Sequence, residues 1–261
     1  MAELKALLFD VDGTLADTER NGHRVAFNRA FLDAGLDWVW SEDFYGELLA
    51  VTGGKERILY YLERFNKHFR PPRELSVFIT DLHRAKTEHF KTLISSGAIP
   101  LRSGVRRLIT EAMAQRVRLG IATTTTADNV LALLTSTLGE ESLSWFDVIA
   151  AGDLVPKKKP APDIYRWAIA ALGLTADACL AIEDSENGLR SALSAGIGSV
   201  LITVNSYTEK EDFNGASMVV SHLGEKDSPP RVIKGGAAPA TYVDMPLLRR
   251  LHRQSSKPIS A

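Results

Sequence analysis

Two aspartates separated by one residue, Asp10 and Asp12, follow a short apolar run and lead into Gly13 and Thr14. Carboxylates this close repel one another unless a cation lies between them, and a hard, oxygen-seeking ion such as Mg2+ suits that place. The run from Ala6 to Phe9 is too short for a buried helix and predicts a buried strand of a parallel sheet. In open α/β sheets ligands bind beyond the carboxyl ends of the strands, where Asp10 and Asp12 then stand. A calcium loop does not fit. Its template wants Gly at the sixth position and Glu at the twelfth, and the chain has Leu15 and Asn21 there. A plain Asp-Gly turn is the remaining alternative, and the rest of the chain must decide.

Three further groups fall at the ends of predicted strands: Thr123 with Thr124, Lys159, and Glu183 with Asp184. Each has a bland reading. Threonines after a strand cap helices. Three lysines before Pro-Ala-Pro are ordinarily a solvated charge run. Acids ahead of a helix complement its dipole. Their order and shared placement suggest phosphoryl chemistry on an aspartate instead. A carboxylate can attack phosphorus and form an acyl phosphate, splitting one displacement into two easier ones. Mg2+ would offset the repulsion between two anions. A lysine and a hydroxyl would bind the equatorial oxygens over which transition-state charge spreads. A second carboxylate can protonate the leaving oxygen and later deprotonate the water.

The elements that must position these groups alternate in type. Strands are predicted at Val117–Ala122, around Val148–Ala150, at Cys179–Ile182 and, as the last strong one, at Ser199–Thr203. Helices are expected from Gly104, over Asn129–Leu138, up to Leu172, and up to Ala195. This rhythm argues for a parallel sheet with right-handed crossovers. Between Asp17 and Ser96 the pattern holds helices and no convincing strand, which predicts a separate helical unit inserted into the α/β domain. Its expected faces are Phe27, Ala30, Phe31 and Ala34, then Ile58, Tyr61, Leu62 and Phe65, then a helix over Leu75–Ile94. Residues Gly224–Thr241 read as an irregular connection, and Tyr242–Gln254 as a terminal helix.

At 261 residues with 45% hydrophobic and 24% charged content, the chain is long enough for a sizeable core. A formal net charge of −1 gives no reason to expect nucleic acid. No apolar run reaches the roughly 18 residues that span a bilayer, and the first strand begins too early to leave room for a signal peptide. The lone Cys179 excludes a disulfide within the chain and suits a reducing compartment. The expected location is cytoplasmic, or plastid stroma if a leader has been removed, and the expected state is a monomer.

Taken together, Asp10-Val11-Asp12-Gly13-Thr14, Thr123, Lys159 and Glu183-Asp184 resemble the four motifs of the haloacid dehalogenase superfamily. The resemblance covers Leu4 to about Thr203. It implies a Rossmann-like parallel-sheet core over 1–16 and 97–261, with an inserted α-helical cap domain over 17–96. It makes Asp10 the nucleophile and Asp12 the general acid and base, with Thr123 and Lys159 completing the catalytic set. It places Mg2+ on Asp10, the main-chain carbonyl of Asp12 and Asp184, with Glu183 acting through water. Dehalogenases lack the second aspartate, and Asp12 therefore argues against halide displacement.

A closer resemblance, to the CbbY-like branch, rests on several segments. They are Asp17-Thr18-Glu19, Gly22-His23-Arg24, Thr52-Gly53-Gly54-Lys55-Glu56-Arg57, His83-Arg84-Ala85-Lys86-Thr87-Glu88 and Ala151-Gly152-Asp153. It implies a Mg2+-dependent phosphatase acting on xylulose 1,5-bisphosphate to give xylulose 5-phosphate. The phosphate remote from Asp10 would then need a cationic cradle, for which Thr52, Gly53, Gly54, Lys55, Arg57 and Lys86 are candidates. Glu19 and Tyr45 are candidates for the sugar hydroxyls, and Thr124 for a further substrate contact. The rival readings are a sugar phosphomutase of the β-phosphoglucomutase type and a non-catalytic phospho-ligand sensor. Thr14 leans towards the phosphatase, and a sensor predicts a lost nucleophile or lysine where none is lost.

Overall fold

The structure is a computed structural model that describes residues 2–51, 53–235 and 241–255. The chain divides into two compact units. One comprises the residues up to Asp17 and from Pro100 onward; the other is Thr18–Ile99.

The first unit is built on a seven-stranded sheet. Its strands are β1 (Ala6–Phe9), β2 (Arg118–Ala122), β3 (Val148–Ala150), β4 (Cys179–Glu183), β5 (Val200–Thr203), β6 (Met218–Val220) and β7 (Val232–Lys234). They run in the order β3-β2-β1-β4-β5-β6-β7, with β7 alone antiparallel. This is a Rossmann-like α/β architecture. The chain moves outward from β1 to β2 and β3, then returns to the other side of β1 with β4. The order therefore reverses beside β1, the topological switch point at which such sheets bind ligands.

Burial explains the apolar runs. Every residue of β1 is buried, as is every residue of β4 and β5. One face of the sheet places Ala6, Leu8, Ala181, Val200 and Ile202 in a single core with Ile164, Tyr165 and Ala168. These last three lie on α7 (Asp163–Ala171). The crossover helices α5 (Val105–Ala114), α6 (Ala127–Leu138) and α8 (Glu186–Ser194) lie where the sequence places them, and α9 (Met245–Ser255) closes the described chain.

Two strands correct the sequence reading. Ser199–Thr203 is not the end of the sheet, because β6 adds a buried strand beyond it. Within Gly224–Thr241, read as irregular, β7 forms an edge strand that pairs with β6. Three residues with an intermediate-to-exposed pattern leave no apolar alternation to detect. Residues 236–240 of that stretch lie outside the described residues.

The second unit contains α1 (Arg24–Asp33), α2 (Glu42–Leu48), α3 (Gly54–Arg64) and α4 (Leu75–Ser95), with a π-helical turn at Glu19–His23. Among its described residues no strand occurs. Helix α2 has no counterpart in the sequence reading, although Ser41 caps it by accepting from the Phe44 N–H at 3.2 Å. An aromatic cluster holds the unit together. Trp40 and Tyr45 are fully buried, with Phe27 at 4.7 Å and Phe31 at 4.8 Å from the Trp40 ring. Asn28 fixes Trp40 by donating to its carbonyl at 3.0 Å and accepting from its N–H at 2.8 Å.

In the first unit, Arg102 ties the strand ends together. Its guanidinium donates to the carbonyls of Gly13, Thr203, Val204 and Ser221. Its Nε pairs with Asp17 at 3.3 Å. A single antiparallel bridge between Ala16 and Leu101 joins the same two segments.

Candidate active site

Register places the acids. Phe9 pairs with Ile182, and Asp10, the residue after β1, is therefore level with Glu183, the last residue of β4. Asp10 donates its N–H to the Ile182 carbonyl at 3.0 Å, which fixes the backbone at the strand's end. On the other side Phe9 pairs with Ile121, and Thr123 emerges just beyond β2. Thr123 is buried, with its N–H on the Ala150 carbonyl at 2.9 Å, whereas Thr124 is exposed. Asp12 is half-buried in the loop after β1, whose turn is closed by the Gly13 N–H on the Ala16 carbonyl at 2.8 Å.

Asp10, Glu183 and Asp184 are all buried, and each offers a carboxylate oxygen within 4.8 Å of the others. Lys159 reaches into this group from the loop before α7. Its Nζ lies 2.7 Å from Asp10 Oδ1 and 2.6 Å from Glu183 Oε1, and the side chain is 7% exposed. The lysine run is thus only partly a solvated surface, and its last member is a buried ion-pair partner.

The electrostatics follow from three acids sharing one such ammonium. Burial pushes Glu183 up to about 7, against the opposing pull of Lys159. Burial, reinforced by Asp10 and Glu183, holds Asp184 well above the usual carboxylate range. Burial alone would lower the Lys159 ammonium, but Asp10 and Glu183 outweigh it and raise it above its ordinary value. The cluster is short of positive charge. Glu183 Oε2 is also buried with no hydrogen-bond partner. An all-oxygen donor set with excess negative charge fits a hard divalent cation such as Mg2+.

Two residues that the sequence did not single out complete this group. Tyr165, fully buried on α7, donates its hydroxyl to Glu183 Oε1 at 2.6 Å. Asn205 donates to Asp184 Oδ2 at 2.7 Å. Neither carries a spacing signal, since each is a single polar residue outside any motif.

In the helical unit the predicted ligand residues are arranged among themselves. Tyr45 donates to Glu19 at 2.6 Å and accepts from Arg57 at 2.8 Å. Arg57 is buried and also donates to the carbonyls of Leu48 and Val51, each at 3.2 Å. Tyr45 and Arg57 thus brace Glu19 and the end of α2. Gly53 takes a φ of +97° immediately before α3, a conformation that favours glycine. A Cβ on Gly54 would lie 2.5 Å from the His83 ring, which occupies that space. Lys55 is exposed in the first turn of α3. Lys86 is buried, with its Nζ 2.8 Å from His23 Nδ1 and close over the rings of Phe27 and Phe90. Thr52 lies outside the described residues.

Known proteins match this arrangement. A profile of the haloacid dehalogenase-like hydrolases matches residues 4–196. The protein CbbY of Rhodobacter capsulatus is 49% identical over 221 residues, covering 85% of this chain and 94% of that protein. A CBBY-like protein of Arabidopsis thaliana is 40% identical, covering 84% of this chain and 69% of that one. A crystal structure of a CbbY variant from Rhodobacter sphaeroides in complex with xylulose 1,5-bisphosphate superimposes with a TM-score of 0.73. That protein shares 46% identity, over 84% of this chain and 94% of its own. With a family profile spanning residues 4–196 and a CbbY relative 49% identical over 85% of its length, the chain belongs to the haloacid dehalogenase-like hydrolases, as a phosphatase of their CbbY-like branch.

Proposed function

We propose that the protein is a Mg2+-dependent sugar-bisphosphate phosphatase that removes one phosphate from xylulose 1,5-bisphosphate, giving xylulose 5-phosphate through a phosphorylated Asp10. The observation that carries this reading is the buried Lys159 ammonium shared between Asp10 and Glu183 at the sheet's switch point. The substrate comes from the relative whose complex contains that bisphosphate.

In the first half-reaction the Asp10 carboxylate attacks phosphorus and the bond to the sugar oxygen breaks. Asp12 gives its proton to the leaving oxygen. In the second, Asp12 takes a proton from water, which attacks the acyl phosphate and regenerates the Asp10 carboxylate. Lys159 and Thr123 hold the equatorial oxygens that gather charge. The residues that would hold Mg2+ are Asp10, Asp184 and the main-chain carbonyl of Asp12, with Glu183 acting through water. Bound there, the ion would supply the charge neutralisation that lets two anions meet.

The helical unit acts as the cap that selects the sugar. Glu19, braced by Tyr45, reads hydroxyls, while Lys55, Arg57 and Lys86 supply positive charge for the remote phosphate. Binding energy from that phosphate appears in the rate as well as in affinity. A phosphate-release screen over sugar mono- and bisphosphates with Mg2+ tests the proposal. Xylulose 1,5-bisphosphate should give the highest kcat/KM, and preference for a monophosphate would refute the substrate assignment.

A further inference from the structure

Asp184 makes its hydrogen bond to a side chain that no motif contains. Asn205 lies two residues beyond β5, and its Nδ2 is 2.7 Å from Asp184 Oδ2. The orientation of this amide is set by its other end, since Asn205 Oδ1 accepts the Tyr207 N–H at 2.9 Å. With the oxygen committed to a main-chain donor, the NH2 group must face the carboxylate. The loop is tied from a third direction by the Asn205 N–H, which donates to Thr208 Oγ1 at 3.1 Å.

The space around this contact is closed. A Cβ on Gly13 would lie 2.2 Å from Asp184 Oδ2 and 2.7 Å from Asn205 Nδ2. Gly13, at a φ of +82°, leaves just enough room for the pair. Asp184 is therefore gripped by one oxygen, and its rotation is blocked by the backbone of the loop that carries Asp10 and Asp12. A carboxylate facing two others would otherwise turn away from them, because like charges repel.

We infer that Asn205 is a positioning residue for the metal site: its amide holds Asp184 Oδ2, so that the carboxylate keeps its place beside Asp10 and Glu183 before any cation binds. A neutral donor suits this task. It fixes the carboxylate without cancelling the charge that attracts the cation, as an arginine or lysine would. Side chains that orient metal ligands in this way commonly change metal affinity by about 10–100-fold when removed.

This inference rests on the Mg2+ reading above, and the test separates the two. Metal-free protein is titrated with Mg2+ by calorimetry for wild type, Asn205→Ser and Thr208→Val. Serine is too short to reach Asp184 but can still accept the Tyr207 N–H in a comparable turn. Thr208→Val loosens the same turn and leaves the amide in place. The expected result is an Asn205→Ser Kd for Mg2+ about 10-fold weaker or more. Thr208→Val should stay within about twofold of wild type, and the metal-free melting temperatures of all three should be similar. An Asn205→Ser Kd within twofold of wild type overturns the role of Asn205 and leaves the metal reading standing. A wild type that binds no Mg2+ takes both down. Should Asn205→Ser lower the melting temperature, its Kd measured below the transition still decides.

Discussion

The Lys159 ammonium lies 2.7 Å from Asp10 Oδ1, and both side chains are almost wholly buried. Removing one partner of such a pair leaves an uncompensated buried charge, which costs about 3–5 kcal/mol. Lys159→Met should therefore lose stability of that order in chelator, measured by denaturant unfolding, as well as phosphatase activity. A variant as stable as wild type would show that the acids are neutral without their lysine.

Arg102 satisfies four main-chain carbonyls and pairs with Asp17. Lysine cannot reproduce that fork, because its donors diverge from one atom. Arg102→Lys is expected to lose about 2 kcal/mol or more in urea unfolding. A smaller loss would mean that water replaces the guanidinium at these strand ends.

His23 supplies a pH test. Burial lowers its pKa well below the ordinary histidine value, and the nearby Lys86 charge adds to this. The folded state thus keeps His23 neutral while the unfolded chain takes up a proton near pH 6.5. The unfolded state binds more protons below that point, and stability is lost as pH falls from about 6.5 towards 5. Burial also lowers His83, which acts in the same sense. Urea unfolding at pH 7.5 and 5.5 should show a smaller acid loss for His23→Gln than for wild type. Equal losses would remove His23 from the account.

The residues proposed to read the sugar make a prediction about specificity. Tyr45 holds Glu19 at 2.6 Å while accepting from Arg57. Tyr45→Phe keeps the ring within its aromatic cluster but frees Glu19. It should raise KM for the bisphosphate by about 10-fold and leave a simple aryl phosphate nearly unaffected. Equal changes on both substrates would make Tyr45 a support of the fold alone.

How much of this was legible in the sequence depended on whether a residue belonged to a pattern. Asp10 and Glu183 could be found because each ends a short apolar run, and strands of a parallel sheet deliver their ends to one edge, while Lys159 stood out as the last of three lysines before Pro160. Tyr165 and Asn205 could not, because each acts through one contact made by tertiary packing. Arg102 carried no signal, because the carbonyls it binds, those of Gly13, Thr203, Val204 and Ser221, come from segments far apart in the chain. Strand β7 was hidden by its length and half-exposed edge position. Tyr45 was read as a contact for sugar hydroxyls and Arg57 as a charge for the remote phosphate, but only the structure shows that Arg57 donates to Tyr45 while Tyr45 holds Glu19.

The central claim is that Asp10 is the group that attacks phosphorus, and one substitution addresses it most directly. Asp10→Asn keeps the shape of the side chain and removes the anionic nucleophile. Phosphate release from xylulose 1,5-bisphosphate should be measured with saturating Mg2+ for wild type and this variant. The account predicts a fall in kcat of several orders of magnitude with the fold intact. A variant turning over within about tenfold of wild type would contradict it.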